Sequence, residues 1–259
     1  MILVDFHVHL YDCFSLSEAL TAAAENFQET ADKVGSTDYQ SVLCLTESCG
    51  YDVFGQLQAG LTMPHWRCET TGEEESLVLV AKARRIILVA GRQINTHERV
   101  EVLALGTRQL FGDNLPLQET LKQVVEAGGL PVLPWGVGKW SGHRGRLVSE
   151  VLLASTWPVF AGDNGGRPYG WPTPGVFAEV VRRERTVLPG SDPLPISAEQ
   201  GRIGSFGAVA RETLGEQTPG RELLTLVRKG AFQRKYGTRL SPLTFCIRQL
   251  QLRLPGKGN

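Results

Sequence analysis

The sequence predicts a single α/β domain folded as a barrel, and three observations predict it. The N-terminus reads as a two-faced strand, short apolar runs then alternate with helix-period segments, and 259 residues with 42% hydrophobic content suffice for one large core. Barrels of this class commonly reach about 250 residues as one domain. Ile2, Val4, Phe6 and Val8 alternate with Leu3, Asp5, His7 and His9, a two-residue period with an apolar face and a face carrying ionisable groups.

A loop and a helix follow. Ser15 and Glu18 have capping-box spacing, and Leu16, Leu20, Ala23, Phe27 and Ala31 fall near helical spacing. Ser41–Thr46 and Ile86–Ala90 read as buried strands, ending at Glu47 and near Gln93. Between them Gly72, the acidic run Glu73–Glu75 and the apolar run Leu77–Val80 read as a hairpin insertion, which makes the barrel irregular. Val100–Leu105 is the next strand, Leu117–Ala127 a helix closed by Gly128-Gly129, and Leu130–Leu133 a strand. Val148–Ala154, Val159–Ala161, Val176–Val181 and Val187–Leu188 continue the rhythm expected of a parallel sheet or barrel.

The charge is balanced overall, with 27 Lys and Arg against 27 Asp and Glu, so composition gives no case for nucleic-acid binding. It is uneven along the chain. From Arg221 onward nine basic residues face one acidic residue, Glu222, so a tail of net charge +8 follows a body of −8. The expected division is therefore a barrel over 1–220 and a basic helical extension over 221–259. Leu223, Leu224, Val227 and Phe232, then Phe245, Ile247, Leu250 and Leu252, supply apolar stripes. These suit packing on the acidic body, or binding of a membrane surface or a protein partner. Five cysteines without CxxC spacing argue against a disulfide framework or a zinc ribbon. With no signal-like N-terminus and no membrane-length apolar run, the expectation is a cytoplasmic protein.

Four constellations carry candidate chemistry. His7 and His9, two apart on a strand, place two imidazoles on one face about 6.5–7 Å apart along the backbone, close enough to share a metal ion. The run Gly136–Gly145 lies between a strand and a helix, and Lys139, His143 and Arg144 within it could bind an anion; its spacing is not that of a nucleotide-binding P-loop. Asp163 and Arg167 flank Asn164-Gly165-Gly166, which reads equally as a tight turn. Asp192 ends a late strand, as a metal ligand or base or as a turn aspartate ahead of Pro193.

Asp5-Phe6-His7-Val8-His9 resembles the first motif of the PHP-domain metallo-phosphoesterases and of amidohydrolases. Leu45-Thr46-Glu47-Ser48 is similar to the second PHP motif, and Gly91-Arg92-Gln93-Ile94 followed by Glu101–Gly106 to the third. Ala127–Leu133 resembles the strand before an Ala-His-Pro motif, and Gly190-Ser191-Asp192 the terminal Gly-Ser-Asp-x-His motif. The resemblance implies an irregular (β/α)7-type barrel and a hydrolase acting on a phosphate ester or other small anionic substrate. It implies a zinc, manganese or iron ion held by His7, His9 and Asp192, with Glu47 or Glu101 supplementing. Asp192, Asp163 and His143 are then the candidate catalytic groups, and Lys139, Arg144 and Arg167 the substrate-binding cations. The departures fall on the ligands: Ser48, Glu101, Trp135 and Leu194 stand where the family has His, and Gln93 where it has Glu. They leave open a protein that keeps the pocket for a ligand or partner and has lost catalysis.

Overall fold

The structure, a computed structural model, describes residues 1–253. In chain order the first half holds β1 (Ile2–Val8), α1 (Leu16–Val34), β2 (Gln40–Leu45), α2 (Val53–Gln58), β3 (Arg67–Thr70), β4 (Ser76–Ala81), β5 (Arg84–Val89), β6 (Gly91–Asn95) and β7 (Glu101–Leu105). The second half holds α3 (Leu117–Glu126), β8 (Leu130–Pro134), α4 (Gly142–Ala154), β9 (Phe160–Asn164), α5 (Gly175–Arg182) and β10 (Val187–Gly190). After a short 3-10 turn over Ser197–Arg202 come β11 (Phe206–Ala210), α6 (Pro219–Arg228), β12 (Arg234–Gly237) and α7 (Pro242–Arg253). Among the described residues no helix is long and apolar enough to cross a membrane.

Among the described residues the strands form two sheets, ordered β12-β11-β1-β2-β5-β4-β3 and β10-β9-β8-β7-β6, and no closed barrel. This corrects the expectation of closure. The free side of β2 is taken by β5, from Ser41 opposite Ile86 to Cys44 opposite Val89, so only Glu47, beyond the strand, bridges to Arg92. At the other seam β10 is four residues long and contains Pro189, which has no N–H to give a ladder. Backbone bonds still cross both seams: Gln93 donates to Glu47 at 3.0 Å and Asp192 to His7 at 2.9 Å. Gly190 lies so close to β1 that a Cβ there would meet the His7 Cβ at 2.3 Å.

Three apolar layers hold the assembly together. Ile2, Val4 and Phe6 of β1, Leu103 and Leu105 of β7, and Val132, Phe160 and Leu188 fill the space between the sheets. Leu223, Leu224 and Val227 of α6 enter this layer too, Leu224 against Gly106 at the end of β7 away from Glu101. Leu20, Ala23 and Phe27 of α1 cover the outside of the first sheet, and α3, α4 and α5 cover the outside of the second. α1 begins where the spacing predicts, but the Ser15 side chain makes no capping bond. Gly35, left-handed at φ 71, ends it and donates back to Ala31 and Asp32.

Beyond Arg221 the chain returns to the body. β12 pairs with β11, from Phe206 opposite Gly237 to Val209 opposite Arg234, and Phe232 is buried. Glu73, from the acidic run of the predicted hairpin, caps the start of α6 by accepting from Gly220 and Arg221. α7 is anchored by Arg248 on Glu199 at 2.9 Å and by Phe245 against Trp171, with Leu243, Ile247 and Leu250 exposed.

Candidate functional site

The site lies on one rim, where β1, β2, β6, β8, β9 and β10 end and antiparallel β7 begins. β1 brings His7 and His9 there through an irregularity that strand alternation does not predict. Its register against β2 shifts between Asp5 and Val8. Val8 consequently packs with Leu3 on the α1 side, whereas Ile2, Val4 and Phe6 face the inter-sheet layer. Shifts of this kind re-aim side chains at strand ends. The His7 and His9 Nε2 atoms end 3.0 Å apart, and lie 3.4 and 3.6 Å from Oδ1 of Asp192.

Asp5 does not join them, contrary to the alternation. Its carboxylate is fully buried and accepts N–H bonds from His7 at 3.2 Å, Ser191 at 2.8 Å and Gly204 at 2.9 Å. It therefore ties β1 to the segments following β10 and preceding β11. Burial pushes its carboxyl up to about 6, against those hydrogen bonds.

Asp192 sits at φ 43, a left-handed conformation that an aspartate tolerates better than most residues, and its N–H bond to His7 fixes it there. The Asn164 side-chain amide donates to Oδ2, leaving Oδ1 toward the imidazoles. Burial would raise this carboxyl, but His7 and His9, with Lys139 and Arg202, hold it below its ordinary value. His9 is pushed the other way: burial first, then the neighbouring His7, lower it to about 3, so it is neutral near pH 7. The Gln93 side chain lies toward the His9 ring and favours its charged form, and Tyr11 stacks on the ring at 5.2 Å between centroids. His7, His9 and Asp192 form a group whose ligand atoms lie within 4.8 Å of one another, and it can hold a metal ion. Two imidazoles and a carboxylate are donors that divalent transition metals accept.

The other sequence-predicted residues distribute around this group. Glu47 is on the rim but turned to the start of α2, where it accepts from the backbone of Val53 at 2.5 Å and Phe54 at 3.2 Å and pairs with Arg92 at 3.3 Å. Glu101 is paired with Lys139, whose ammonium also acts on His9 and Asp192. Arg144 donates to the carbonyl of Gly138 at 3.0 Å and supports the Lys139 loop from outside, while His143 is exposed in the first turn of α4.

Asp163 and Arg167 form a separate cluster. Arg167 is 0% exposed and grips Asp163 with Nε and Nη2 at 3.1 and 3.0 Å, its guanidinium lying 5.8 Å from the Trp135 ring. Lys235 and Arg239 approach the same carboxylate at 3.2 and 3.6 Å. Alternation along β9 explains the separation: Phe160 faces between the sheets and Ala161 the helices, so Asn164 inherits the inward side and Asp163 the outward. Asn164 is thus a site residue that the motif reading passes over, although that parity was available to find it. Gln93 was noticed there only as a substitution, and Tyr11 and Arg202 carry no motif signal.

A cavity of about 270 Å³, lined by Glu47, Tyr51, Arg92 and Gln93 among others, adjoins the rim on the His9 side. No protein-family model matches the chain, and no curated protein matches it. Among solved structures the chain is similar to PsfC from Pseudomonas syringae PB-5123, with a TM-score of 0.56, 14% identity, and coverage of 96% of this chain and 98% of that one. It also aligns with Endonuclease Q, in complex with a 27-mer duplex carrying an abasic lesion, with a TM-score of 0.47, 13% identity, and coverage of 90% of this chain and 57% of that one. The first likeness is one of fold.

Proposed function

We propose that the chain is a metal-dependent hydrolase of PHP or amidohydrolase type, acting on a phosphate ester or other small anionic substrate. The observation that carries this reading is the convergence of both β1 imidazoles and Asp192 at a strand-end rim. His7, His9 and Asp192 would hold the ion, a donor set that suits zinc, manganese or iron better than calcium or magnesium. Bound there, the ion supplies Lewis acidity and lowers the pKa of water.

The remaining work falls to the chain's own groups. Gln93 is the polar side chain available to orient the His9 ring, and Tyr11 covers one of its faces and keeps water from it. Asn164 holds Asp192 so that one oxygen stays available as ligand or proton acceptor. Lys139 and Arg202 bring positive charge to Asp192 and favour an anionic group beside it. Arg167, fully buried and paired with Asp163 in the separate cluster, has no part in gripping substrate in this reading.

One observation favours a second reading, a ligand- or partner-binding protein without turnover: Glu47 and Glu101 are both occupied by internal cations, leaving three ligands. Elemental analysis of protein purified without added metal or chelating resin, on the wild type and on a His7→Ala, His9→Ala variant, tests the proposal. The expected result is about one equivalent of metal, lost in the variant, with phosphomonoester or phosphodiester hydrolysis lost alongside. No metal in the wild type even after zinc or manganese is supplied overturns the hydrolase. Metal bound without turnover on any ester or amide favours the second reading.

A further inference from the structure

Lys139 is placed with more care than a surface lysine needs. Its loop turns on Gly136, whose carbonyl accepts from the Lys139 N–H at 3.0 Å, and on Gly138, left-handed at φ 69. The lysine stem then lies directly over the Gly136 backbone, where any Cβ would meet the Lys139 Cδ at 2.5 Å and its Cγ at 3.1 Å. That clearance aims the ammonium at Glu101, the first residue of β7, whose side chain is only 15% exposed. The same ammonium acts on His9 and Asp192, and Glu101 and Asp192 both act on Tyr11, the ring stacked on His9. One fixed cation is therefore paired with Glu101 and carries its charge to His9 and Asp192. Glu47, the rim's third carboxylate, is neutralised in the same manner by Arg92.

We infer that Lys139 is a built-in replacement for a second metal ion: it holds Glu101 where a divalent cation would otherwise bridge Glu101 to the His9–Asp192 side, and so limits the rim to a single-ion site. The inference extends the metal reading above, since it concerns how many ions the rim accepts. The physical ground is direct. An ammonium on the same rim as a divalent ion repels it, and its pairing with Glu101 occupies carboxylate lone pairs that would otherwise coordinate an ion. Without the ammonium, Glu101 is left largely buried and without its cation on the rim that also carries Asp192, an excess of negative charge that a divalent cation relieves.

The test is Mn²⁺ titration followed by the electron paramagnetic resonance signal of free ion, on the wild type, Lys139→Met, Lys139→Arg, and Lys139→Met combined with Glu101→Gln. Lys139 is 44% exposed on its side chain, so the substitutions should not prevent folding; Lys139→Gln is the substitute should the methionine variant aggregate. The expected result is one more tightly bound Mn²⁺ in Lys139→Met than in the wild type, its affinity higher by about 10–100-fold. Lys139→Arg should bind as the wild type does, and Glu101→Gln should abolish the extra ion. Equal stoichiometry and affinity in wild type and Lys139→Met overturns the inference even if the wild type binds one ion and the metal reading stands. Zero ions in the wild type fails the resident-metal reading; one ion in Lys139→Met then upholds the inference if Glu101→Gln abolishes it, and overturns the inference if that ion remains.

Discussion

Asp163 and Asp192 end neighbouring parallel strands, and the chain treats them in opposite ways. Asp163 is enclosed by Arg167, Lys235 and Arg239, so both of its oxygens have cationic partners and the carboxylate is structurally spent. Asp192 faces two imidazoles at 3.4 and 3.6 Å, distances too long for good hydrogen bonds, and keeps a side chain 22% exposed. The contrast separates a carboxylate that holds the fold together from one that remains able to accept a ligand, although both follow short strands with a turn-like sequence after them.

The largest effect that could break this contrast is on stability. Asp163→Ala leaves Arg167 buried and uncompensated and also releases Lys235 and Arg239, so the expected loss is about 3–5 kcal/mol, read as a shift of the urea midpoint at constant m-value. Asp192→Asn, which keeps the Asn164 contact in part and strands no buried cation, should cost about 1 kcal/mol or less while weakening metal binding. Equal destabilisation by the two variants would remove the distinction between them.

Much of this rim was legible in the sequence, and the unread parts share a cause. His7, His9 and Asp192 stood out because each ends a strand with a ligand-type side chain, and the strand order puts all three on one rim. What escaped was information carried by partners. The register shift in β1 depends on how β2 pairs with it, so Asp5 seemed to share a face with the histidines. The absence of closure depends on β5 taking the edge of β2. Glu47 and Glu101 looked like spare ligands because Arg92 and Lys139, 45 and 38 positions away, cannot be assigned to them from spacing. β12 was missed outright: Arg234-Lys235-Tyr236-Gly237 is too short and too charged to read as a strand, yet charged, short strands are usual at sheet edges.

A sharper version of the comparison uses pH. Asp5 on β1 and His9 just past its end are fully and almost fully buried, and their folded values are displaced in opposite directions, to about 6 and about 3. For Asp5 the folded value lies above the ordinary value of 3.8, so the folded state binds the proton more tightly. Its contribution is fully present below about pH 4 and lost as pH rises through 6, a change on the order of 3 kcal/mol. For His9 the folded value lies below the ordinary value of 6.5, so stability is present above that pH and falls as pH drops toward 3. Urea midpoints measured from pH 3.5 to 7.5 should therefore show Asp5→Asn losing its acid-side gain relative to wild type, and His9→Gln losing part of its acid-side decline. Parallel profiles for the two variants would mean that neither group titrates in the folded protein as its burial dictates.

The smallest expected effect concerns His143, which the motif reading placed among the catalytic groups. It stands exposed in the first turn of α4, separated from the rim by the loop that Arg144 braces through the Gly138 carbonyl. An exposed side chain with no buried partner contributes little, so His143→Ala should change stability by less than about 0.5 kcal/mol. If the ion sits on His7, His9 and Asp192, the same variant should bind metal with unaltered affinity, because none of the ligand atoms or the groups that orient them changes. Removing Arg144 instead loosens the support of the turn that carries Lys139, and should disturb the site more than removing the histidine beside it. A fall in metal affinity on His143→Ala comparable to that on His9→Gln would show that the α4 loop closes over the rim in solution. His143 would then belong with Asp192 among the groups open to a ligand, and the division drawn between the two strand ends would have to be redrawn around the loop.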